Sequence, residues 1–512
     1  MSGTPAAPKP PPTASSDLPE QMRVRRDKAE RLLARGREPY PPGYPRTASL
    51  AALRAAYPDL PPGTATGDVV GITGRVMLNR IAGKLCFATL QEGGVQVQVM
   101  LAQDRVGADR LADWKADVDL GDQVGVTGEV GTTRRGELSV LADSWEITAK
   151  ALRPLPDKHK GLADPEARVR QRYLDLIVNP GARQMLRVRS AVVWSLRTSL
   201  RDRDFVEVET PMLQPLHGGA AARPFVTHMN ALDLDLYLRI APELYLKRLV
   251  VGGLDKVFEL NRNFRNEGVD TSHNPEFAML EAYEAYGDYN SMAELTRELV
   301  QEAALAARGS LVVPLPAVPG SGAAGEMDLS GSWRQMTVHA ALSAVLGENV
   351  TPDTGLAELR RSAAAVGVEL HPEWREGQIV LQLYEKLVEA TTVEPTFYRD
   401  FPTEVAPLTR AHRSDPRLAE RWDLVALGRE LATAYTELVD PVEQRRRLTE
   451  QSLKAAGGDP EAMQLDEDFL RALEHAMPPS GGMGMGVERL IMLLTGSPSI
   501  RETMLFPLVR PE

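Results

Sequence analysis

The stretch KVFELNRNFRNEGVDTSHNPEFAMLEAYEAY, residues 256–286, decides how the larger part of the chain folds. It reads as two strands joined by a polar loop, because short runs carrying Val, Phe and Tyr flank a segment of Asn, Gly, Asp, Ser and Pro. The loop brings together Arg265, Glu267, His273 and Phe277, a cation, two hydrogen-bonding groups and an aromatic face. That mixture suits a nucleotide, since a guanidinium binds phosphate with planar paired contacts and neutralises charge that develops during displacement at phosphorus. Taken alone, the loop fits a surface ion pair equally well.

Working outward, GGMGMGVERLIMLLTG (481–496) places Gly482, Gly484 and Gly486 before an apolar helix that begins at Val487. Glycines let backbone approach a ligand, and the glycine at every second position suits a strand that runs into a helix. It is not a dinucleotide fingerprint, because the βαβ context and the later acidic residue are missing. Arg489 is placed for an aromatic base or a terminal phosphate, or for a plain helix surface. In WDLVALGRELATAYTELVDP (422–441), Glu430 and Glu437 are seven residues apart, a spacing that puts both on one face of a helix. Paired carboxylates with phosphate oxygens suit Mg²⁺, which keeps few protein ligands.

Upstream, ARQMLRVRSAVVWSLRTSLRDRD (182–204) has helical periodicity and runs into the strand FVEVETPML (205–213), where Pro211 ends pairing. The region 183–512 is expected to be one large domain with a mostly helical insertion at about 335–425, preceded by a linker at 156–182. From 67 to 155 the pattern changes to five short β-type runs, VVGITGRVM, KLCFATLQ, VQVQVML, DQVGVTGEVG and ELSVLADSWEI, with one helical segment, AQDRVGADRLADW, between them. That is what an oligonucleotide-binding barrel needs. Residues 22–66 start with a basic helical segment carrying Arg23, Arg25, Arg26, Lys28, Arg31, Arg35 and Arg37, readable as a local basic patch or a solvated helix. Residues 1–21 are Pro, Ala and Ser rich and read as a disordered tail.

The 512 residues exceed one compact domain, and 43% hydrophobic with 25% charged residues is ordinary for a soluble protein. No apolar run approaches the ~18 residues of a membrane span, and the opening MSGTPAAPKPPPTASSD lacks the regions of a secretory signal. Cytoplasmic placement follows, and a single cysteine, Cys86, which excludes an internal disulfide, agrees with it. The net charge of −11 argues against indiscriminate coating of nucleic acid but leaves room for local basic surfaces.

Together these segments resemble the three signature motifs of class II aminoacyl-tRNA synthetases: the helix and strand ending EVETPML, FRNEG…HNPEF, and GMGMGVER. RQRYLDL, GGAAARPFVTHMNALDLDLYLRIAPELYLKRLVVGG and LFPLVRP narrow the resemblance to bacterial-type lysyl-tRNA synthetases. The implied fold is α+β, a five-stranded OB-fold barrel followed by the antiparallel-sheet catalytic domain. The implied reaction joins L-lysine to ATP as lysyl-adenylate and transfers lysine to the 3′ end of tRNA(Lys). By position, Gly219 and Glu243 would hold the lysine α-ammonium, and Glu281 with Tyr283 the ε-ammonium. ATP would be held by Arg265, Glu267, His273, Phe277, Glu430 and Arg489, with Arg265, Arg489 and Glu267 as the catalytic set. Glu430 and Glu437 would ligate Mg²⁺, with about three ions per subunit implied by the resemblance. In the barrel, Arg75, Phe87, Gln98 and Glu137 would read the anticodon by stacking and base-edge contacts. The resemblance further implies a homodimer, with tRNA(Lys), lysine and ATP as partners and neither membrane nor DNA.

Three positions depart from the family pattern: Ser272 stands for a frequent Arg, Thr433 for Asn, and Val439 for an Asn expected to bond the amino-acid carboxylate. Asp204 replaces a frequent Gly. The competing readings are a paralogue that delivers lysyl-adenylate to another acceptor and an inactive tRNA-binding regulator. Aspartate or asparagine specificity is disfavoured, because Glu243 and Glu281 would repel an acidic side chain.

Overall fold

A computed structural model describes residues 18–156, 162–316, 325–458 and 461–511. The tail expected at 1–21 therefore lies, up to residue 17, outside the described residues. The chain divides into two compact units, one ending at Arg183 and one beginning at Gln184.

In the first unit, β1 (Ala65–Ala82), β2 (Leu85–Glu92), β3 (Val95–Ala102), β4 (Gln123–Thr132) and β5 (Leu138–Ala149) close into a barrel in the order β1-β2-β3-β5-β4. Only β3 and β5 pair in parallel. Alternate residues point inward, so Ile72, Val76, Ala88, Leu90, Val97, Val99, Val124, Val126 and Val140 form the core. The helix Ala108–Asp117 adds Trp114, which meets Trp145 edge-on at 5.0 Å. Cys86 is buried in the same core.

The basic helix, Glu20–Ala34, is neither a free basic patch nor a merely solvated element. Arg25 is buried and donates to the carbonyls of Leu120 and Ala151. Lys28 pairs with Asp119 at 2.7 Å, Arg31 and Arg35 with Asp117 at 3.1 Å, and Arg37 with Asp113 at 2.6 Å. Four of the seven cations from Arg23 to Arg37 are thus matched by acids of the same unit. The segment expected as a linker, 156–182, carries the short helices Pro165–Arg170 and Arg172–Val178.

The second unit is organised by one sheet. Its strands are β6 (Val206–Glu207), β10 (Lys256–Phe264), β11 (Glu276–Ala285), β14 (Arg334–Thr337), β15 (Thr396–Pro402), β16 (Leu418–Ala426), β17 (Arg429–Thr436) and β18 (Ser480–Gly486). They lie in the order β14-β15-β16-β17-β18-β11-β10-β6, antiparallel except for the two edge pairs. A separate three-stranded sheet holds β7 (Leu213–Gln214), β8 (Phe225–Met229) and β9 (Leu234–Leu238), and β12 (Val312–Pro314) pairs with β13 (Glu326–Asp328). One face of the large sheet buries Leu280, Ala282, Met483, Met485, Ala432, Ala434, Trp422 and Leu424 against the helices Pro180–Arg201, Tyr289–Arg308 and Val487–Thr495. The insertion at 335–425 is helical only in part: β14 and β15 lie in it almost entirely and β16 begins in it, so half the large sheet's outer edge comes from a segment expected to be helix.

The long helix ends in a left-handed turn at Asp204, φ 66°, with Phe205 N–H donating to the Leu200 carbonyl at 3.0 Å. That is a helix C-terminal cap that glycine fills without strain, which explains physically why the departure falls here. Asp204→Gly should raise the unfolding free energy by roughly 0.5–1 kcal/mol and Asp204→Val lower it by at least as much. The urea midpoints of the two variants check this.

Candidate active site

A cavity of about 600 Å³ lies over the other face of the large sheet. Its floor follows from the two-residue period of strands. Phe277, Met279, Glu281 and Tyr283 of β11, Gly482, Gly484 and Gly486 of β18, and Thr433 and Tyr435 of β17 all face it. Registers align these into rows, Glu281–Gly484–Thr433–Asp423 and Tyr283–Gly482–Tyr435–Arg421. Of these glycines Gly482 is the one that is sterically required, while at Gly484 the nearest atom is the movable end of Met279 and at Gly486 nothing is closer than 3.6 Å. A Cβ on Gly482 would sit 2.0 Å from a Glu437 oxygen and 2.5 Å from the Tyr283 ring, and one on Gly484 would sit 2.6 Å from Met279.

At one end of the cavity three carboxylates gather, Glu243 and Glu281 on its wall and Glu437 buried beside Gly482 without lining it. Glu243 opens the helix Glu243–Val251, Glu281 comes from β11, and Glu437 follows β17; all three are buried. Gly219, at φ 86°, packs where a Cβ would meet Glu243 at 3.0 Å, so it brings backbone directly against that carboxylate's helix turn. Tyr283 donates to Glu281 at 3.1 Å. Lys247, fully buried one turn after Glu243, pairs with Glu243 at 2.7 Å and Glu437 at 2.5 Å. Glu437 Oε1 has no hydrogen-bond partner among the described residues. Burial, and then the charge of Glu243, pushes Glu281 up to about 8. Burial likewise lifts Glu437 to about 8 against the pull of Lys247, and raises Glu243. Burial opposes the charge on Lys247, but Glu243 and Glu437 outweigh it and keep the ammonium protonated.

The other end suits an anion and a flat ring. Arg265 has its guanidinium carbon 5.1 Å from the centre of the Phe277 ring, and its Nε lacks a partner among the described residues. Desolvation lowers its pKa, with Glu267 and Glu430 opposing. Glu267, Gly268, Ser272 and His273 line the wall, and Arg489 donates to the Glu430 carbonyl at 2.7 Å and stands 3.2 Å from His273 Nε2. Ser272 accepts a bond from Arg429 at 3.0 Å, and Thr433 donates to Asp423 at 2.7 Å. Val439 is not among the described residues lining the cavity; it packs against the apolar cluster of Leu408 and Leu448.

Glu430 and Glu437 do not stand on a helix. They belong to β17 and the residue after it, so about 20 Å of strand separates their backbones. Their neighbours also differ: Glu430 faces Asp423, Arg489, Arg421 and Arg265, whereas Glu437 faces Lys247 and Glu243. On that geometry the two stand at opposite ends of a strand rather than on one helical face. The partner that reading missed is Asp423, brought beside Glu430 by a two-residue hairpin turn in which Leu427 (φ 53°) and Gly428 (φ 69°) are both left-handed. Leu-Gly is a poor signal for such a turn, which Asn-Gly or Asp-Gly normally announces. Glu389 completes the cluster, accepting from the Glu430 N–H at 3.2 Å, and is lifted to about 7 by burial and then by Glu430 and Asp423. Among the described residues no three acidic, histidine or cysteine side chains are arranged to hold a metal by themselves.

On the barrel, Phe87, Gln98 and Glu137 belong to one outer surface. Gln98 bonds Ser139 at 2.9 Å, which bonds the Glu137 carbonyl at 3.0 Å, and Gln98 lies opposite Thr89, two residues from Phe87. Arg75 is not with them. It pairs across from Gln91, four residues further along β2, and is spent on the Gly121 carbonyl at 2.7 Å. Arg80 occupies the place expected of it, opposite Phe87 with its guanidinium 5.5 Å from the ring centre. A bulge between Val76 and Leu78 hides this from residue spacing.

A nucleotide-sized cavity on an antiparallel sheet, with an Arg–Phe pair at one end and buried carboxylates at the other, defines a class II synthetase catalytic unit. Residues 164–510 match the family described as tRNA synthetases class II (D, K and N), and residues 67–148 match an OB-fold nucleic acid binding domain. The chain belongs to the class II tRNA synthetases (D, K and N). It is 58% identical over 504 residues to a lysine–tRNA ligase of Mycobacterium bovis, covering 97% of this chain and 98% of that one. A lysine–tRNA ligase of Mycolicibacterium gilvum is 59% identical over 502 residues, 98% of this chain and 99% of its own length. A lysylphosphatidylglycerol biosynthesis bifunctional protein LysX of Nocardia farcinica is 59% identical over 493 residues; the match covers 96% of this chain but 43% of that protein. Among the described residues no helix is long and apolar enough to cross a membrane.

Gly482→Ala should lower amino-acid activation on the order of 100-fold or more, because its Cβ claims the space of Glu437 and Tyr283. ATP–pyrophosphate exchange, with circular dichroism to verify the fold, checks this.

Proposed function

We propose that the chain is a lysine–tRNA ligase: it activates L-lysine with ATP and esterifies it to the 3′ end of tRNA(Lys). One observation carries the substrate assignment. Glu243 and Glu437 share the one ammonium of Lys247, and Glu281 makes no ion pair among the described residues, with Arg239 and Arg265 acting on it only at longer range, so the fully ionised acidic end is short of positive charge. Lysine supplies two ammonium groups, and its carboxylate has a cation in Arg265, whose Nε is unpartnered among the described residues. An aspartate or asparagine side chain offers no second positive charge and would leave a buried carboxylate uncompensated.

In this reading Gly219 and Glu243 take the α-ammonium, and Glu281, Tyr283 and Glu437 the ε-ammonium. Glu437 thereby moves from the metal set to the amino-acid set. Phe277 and Arg489 flank the adenine, Glu267 bonds its edge, and His273 faces the phosphates. The lysine carboxylate attacks the α-phosphorus in line, pyrophosphate leaves with the electron pair of the broken bond, and Arg265 neutralises the charge that builds on the α-phosphate. A ribose hydroxyl of the terminal adenosine then attacks the lysyl carbonyl and releases AMP. No enzyme nucleophile takes part.

The residues fit a divalent cation. Glu430 lines the nucleotide end, and Asp423, ion-paired with Arg421 at 2.8 Å, stands near enough to act on its charge; Mg²⁺ prefers few protein ligands beside phosphate oxygens and water. Bound there, it would neutralise pyrophosphate charge. On the barrel, Arg80, Phe87, Gln98 and Glu137 form the surface for anticodon bases. A homodimer is supported by apolar surface on the expected interface elements: Trp194, 70% exposed on the long helix, with Val206, Leu213 and Val226 on nearby short strands.

Lysine should be the amino acid that drives strong ATP–pyrophosphate exchange, and transcribed tRNA(Lys) should be charged. Exchange without charging would move the assignment to a synthetase that delivers lysyl-adenylate elsewhere. The pH dependence has a fixed sign. The lysine ammonium groups need ionised carboxylates, and Glu281 and Glu437 titrate near 8 in the empty site, so lysine affinity should rise as pH rises from 6.5 to 8. The expected rise is about tenfold, with protons released on binding below pH 8, measurable by titration calorimetry in buffers of different ionisation enthalpy. Arg80→Ala should raise the KM for tRNA(Lys) about tenfold while leaving exchange unchanged, and Arg75→Ala should have the smaller effect on tRNA.

A further inference from the structure

Lys247 belongs to none of the roles assigned so far, yet it is the most completely enclosed cation of the amino-acid end. Its ammonium is fully buried, bonded to Glu243 at 2.7 Å and Glu437 at 2.5 Å. These carboxylates come from different elements, one from the first turn of the helix Glu243–Val251 and one from the segment after β17. Among the described residues no other side chain pairs with both, and Glu437 Oε1 has no hydrogen-bond partner.

An ion pair this deeply buried is not explained by stability. Two acids and a lysine removed from water cost more in desolvation than a packed apolar trio would, and their mutual attraction at best repays it. Such a set is retained where the arrangement itself is needed. Here the arrangement is the convergence of Glu243 and Glu437 on one point, beside Glu281 and Tyr283 from β11 and Tyr435 from β17, with Arg239 and Arg265 as the cations facing Glu281. Without Lys247, Glu243 and Glu437 would face each other with no ion-pair partner among the described residues, and the cheapest response is for one of them to take up a proton or swing away. Either response removes a lysine ligand.

We infer that Lys247 is a positioning residue of the lysine subsite: its side chain spans Glu243 and Glu437, holds them convergent on one point, and so prepares the pocket for the two ammonium groups of the substrate. This rests on the lysine reading above. The geometry also fixes its limit as a contact. Lys247 carries the same charge as the substrate's amino groups, so it acts on lysine only through the two carboxylates.

The test uses the full-length protein with Lys247→Met and Lys247→Gln, the latter keeping two N–H donors for the carboxylates but no charge. In ATP–pyrophosphate exchange the KM for lysine should rise at least tenfold in both variants. The KM for ATP and the kcat at saturating lysine should change less than threefold, because the nucleotide end is untouched. The pH at which lysine affinity levels off should move upward by about one unit, since the acids lose their nearest cation. A purely structural lysine would instead lower kcat and both KM terms without moving the pH profile, and that result overturns the inference. So does an unchanged lysine KM, and so does failure of both variants to fold, which would make Lys247 a stability residue. Failure of the lysine reading is seen separately: the unmodified enzyme would then show exchange driven by a different amino acid.

Discussion

The arrangement depends above all on a steric constraint in β18. A central strand bearing no side chains on one face lets its neighbours on both sides lean over it, and only in that way can Tyr283, Glu281 and Met279 from β11 share space with Glu437 from beyond β17. Glycine in a strand costs roughly 0.5–1 kcal/mol relative to alanine. The cost is offset on the other face, where Met483 and Met485 are buried in the largest apolar cluster, and by backbone pairing with β11 and β17 along the strand's length. The strand is thus a hydrogen-bonding spacer on one side and core on the other.

That floor separates two electrostatic environments within one cavity. Toward Glu243 the surroundings are acidic, dry and short of positive charge; toward Arg265 and Arg489 they are cationic and aromatic. A ligand positively charged at one end and anionic at the other is oriented before any close contact forms. The carboxylates at the acidic end tolerate burial only because the sheet, the helix Glu243–Val251 and Lys247 fix them against relaxation.

Much of this was legible in the sequence, and what was not has identifiable causes. The paired strands around the polar loop, the strand-to-helix passage at Gly486 and the five-stranded barrel follow from two-residue and 3.6-residue periods acting over long enough runs. The hairpin between β16 and β17 escaped because its turn is Leu-Gly, so a spacing of seven was read on a helix and the approach of Asp423 to Glu430 was missed. The family position for Arg75 slipped along a strand whose register is broken by a bulge, and Arg80 was passed over. Lys247 looked like an ordinary helix cation, because nothing in its neighbours along the chain announces that Glu437, 190 positions later in the sequence, will cover it. Long-range pairing of charges has no local signature.

The helix Glu20–Ala34 has a consequence of a different kind. In the helix and the residues just after it, Lys28, Arg31, Arg35 and Arg37 are committed to Asp113, Asp117 and Asp119, so they hold the segment to the barrel and are less available to displace cations condensed on a polyanion. Each phosphate neutralised by a protein contributes close to one unit to the slope of log affinity against log salt concentration. A count of basic residues would therefore overstate this segment's share of that slope. On its exposed face Arg23 and Arg26 are the cations with no acidic partner among the described residues, so any share this helix has in RNA association should carry a shallow dependence on ionic strength.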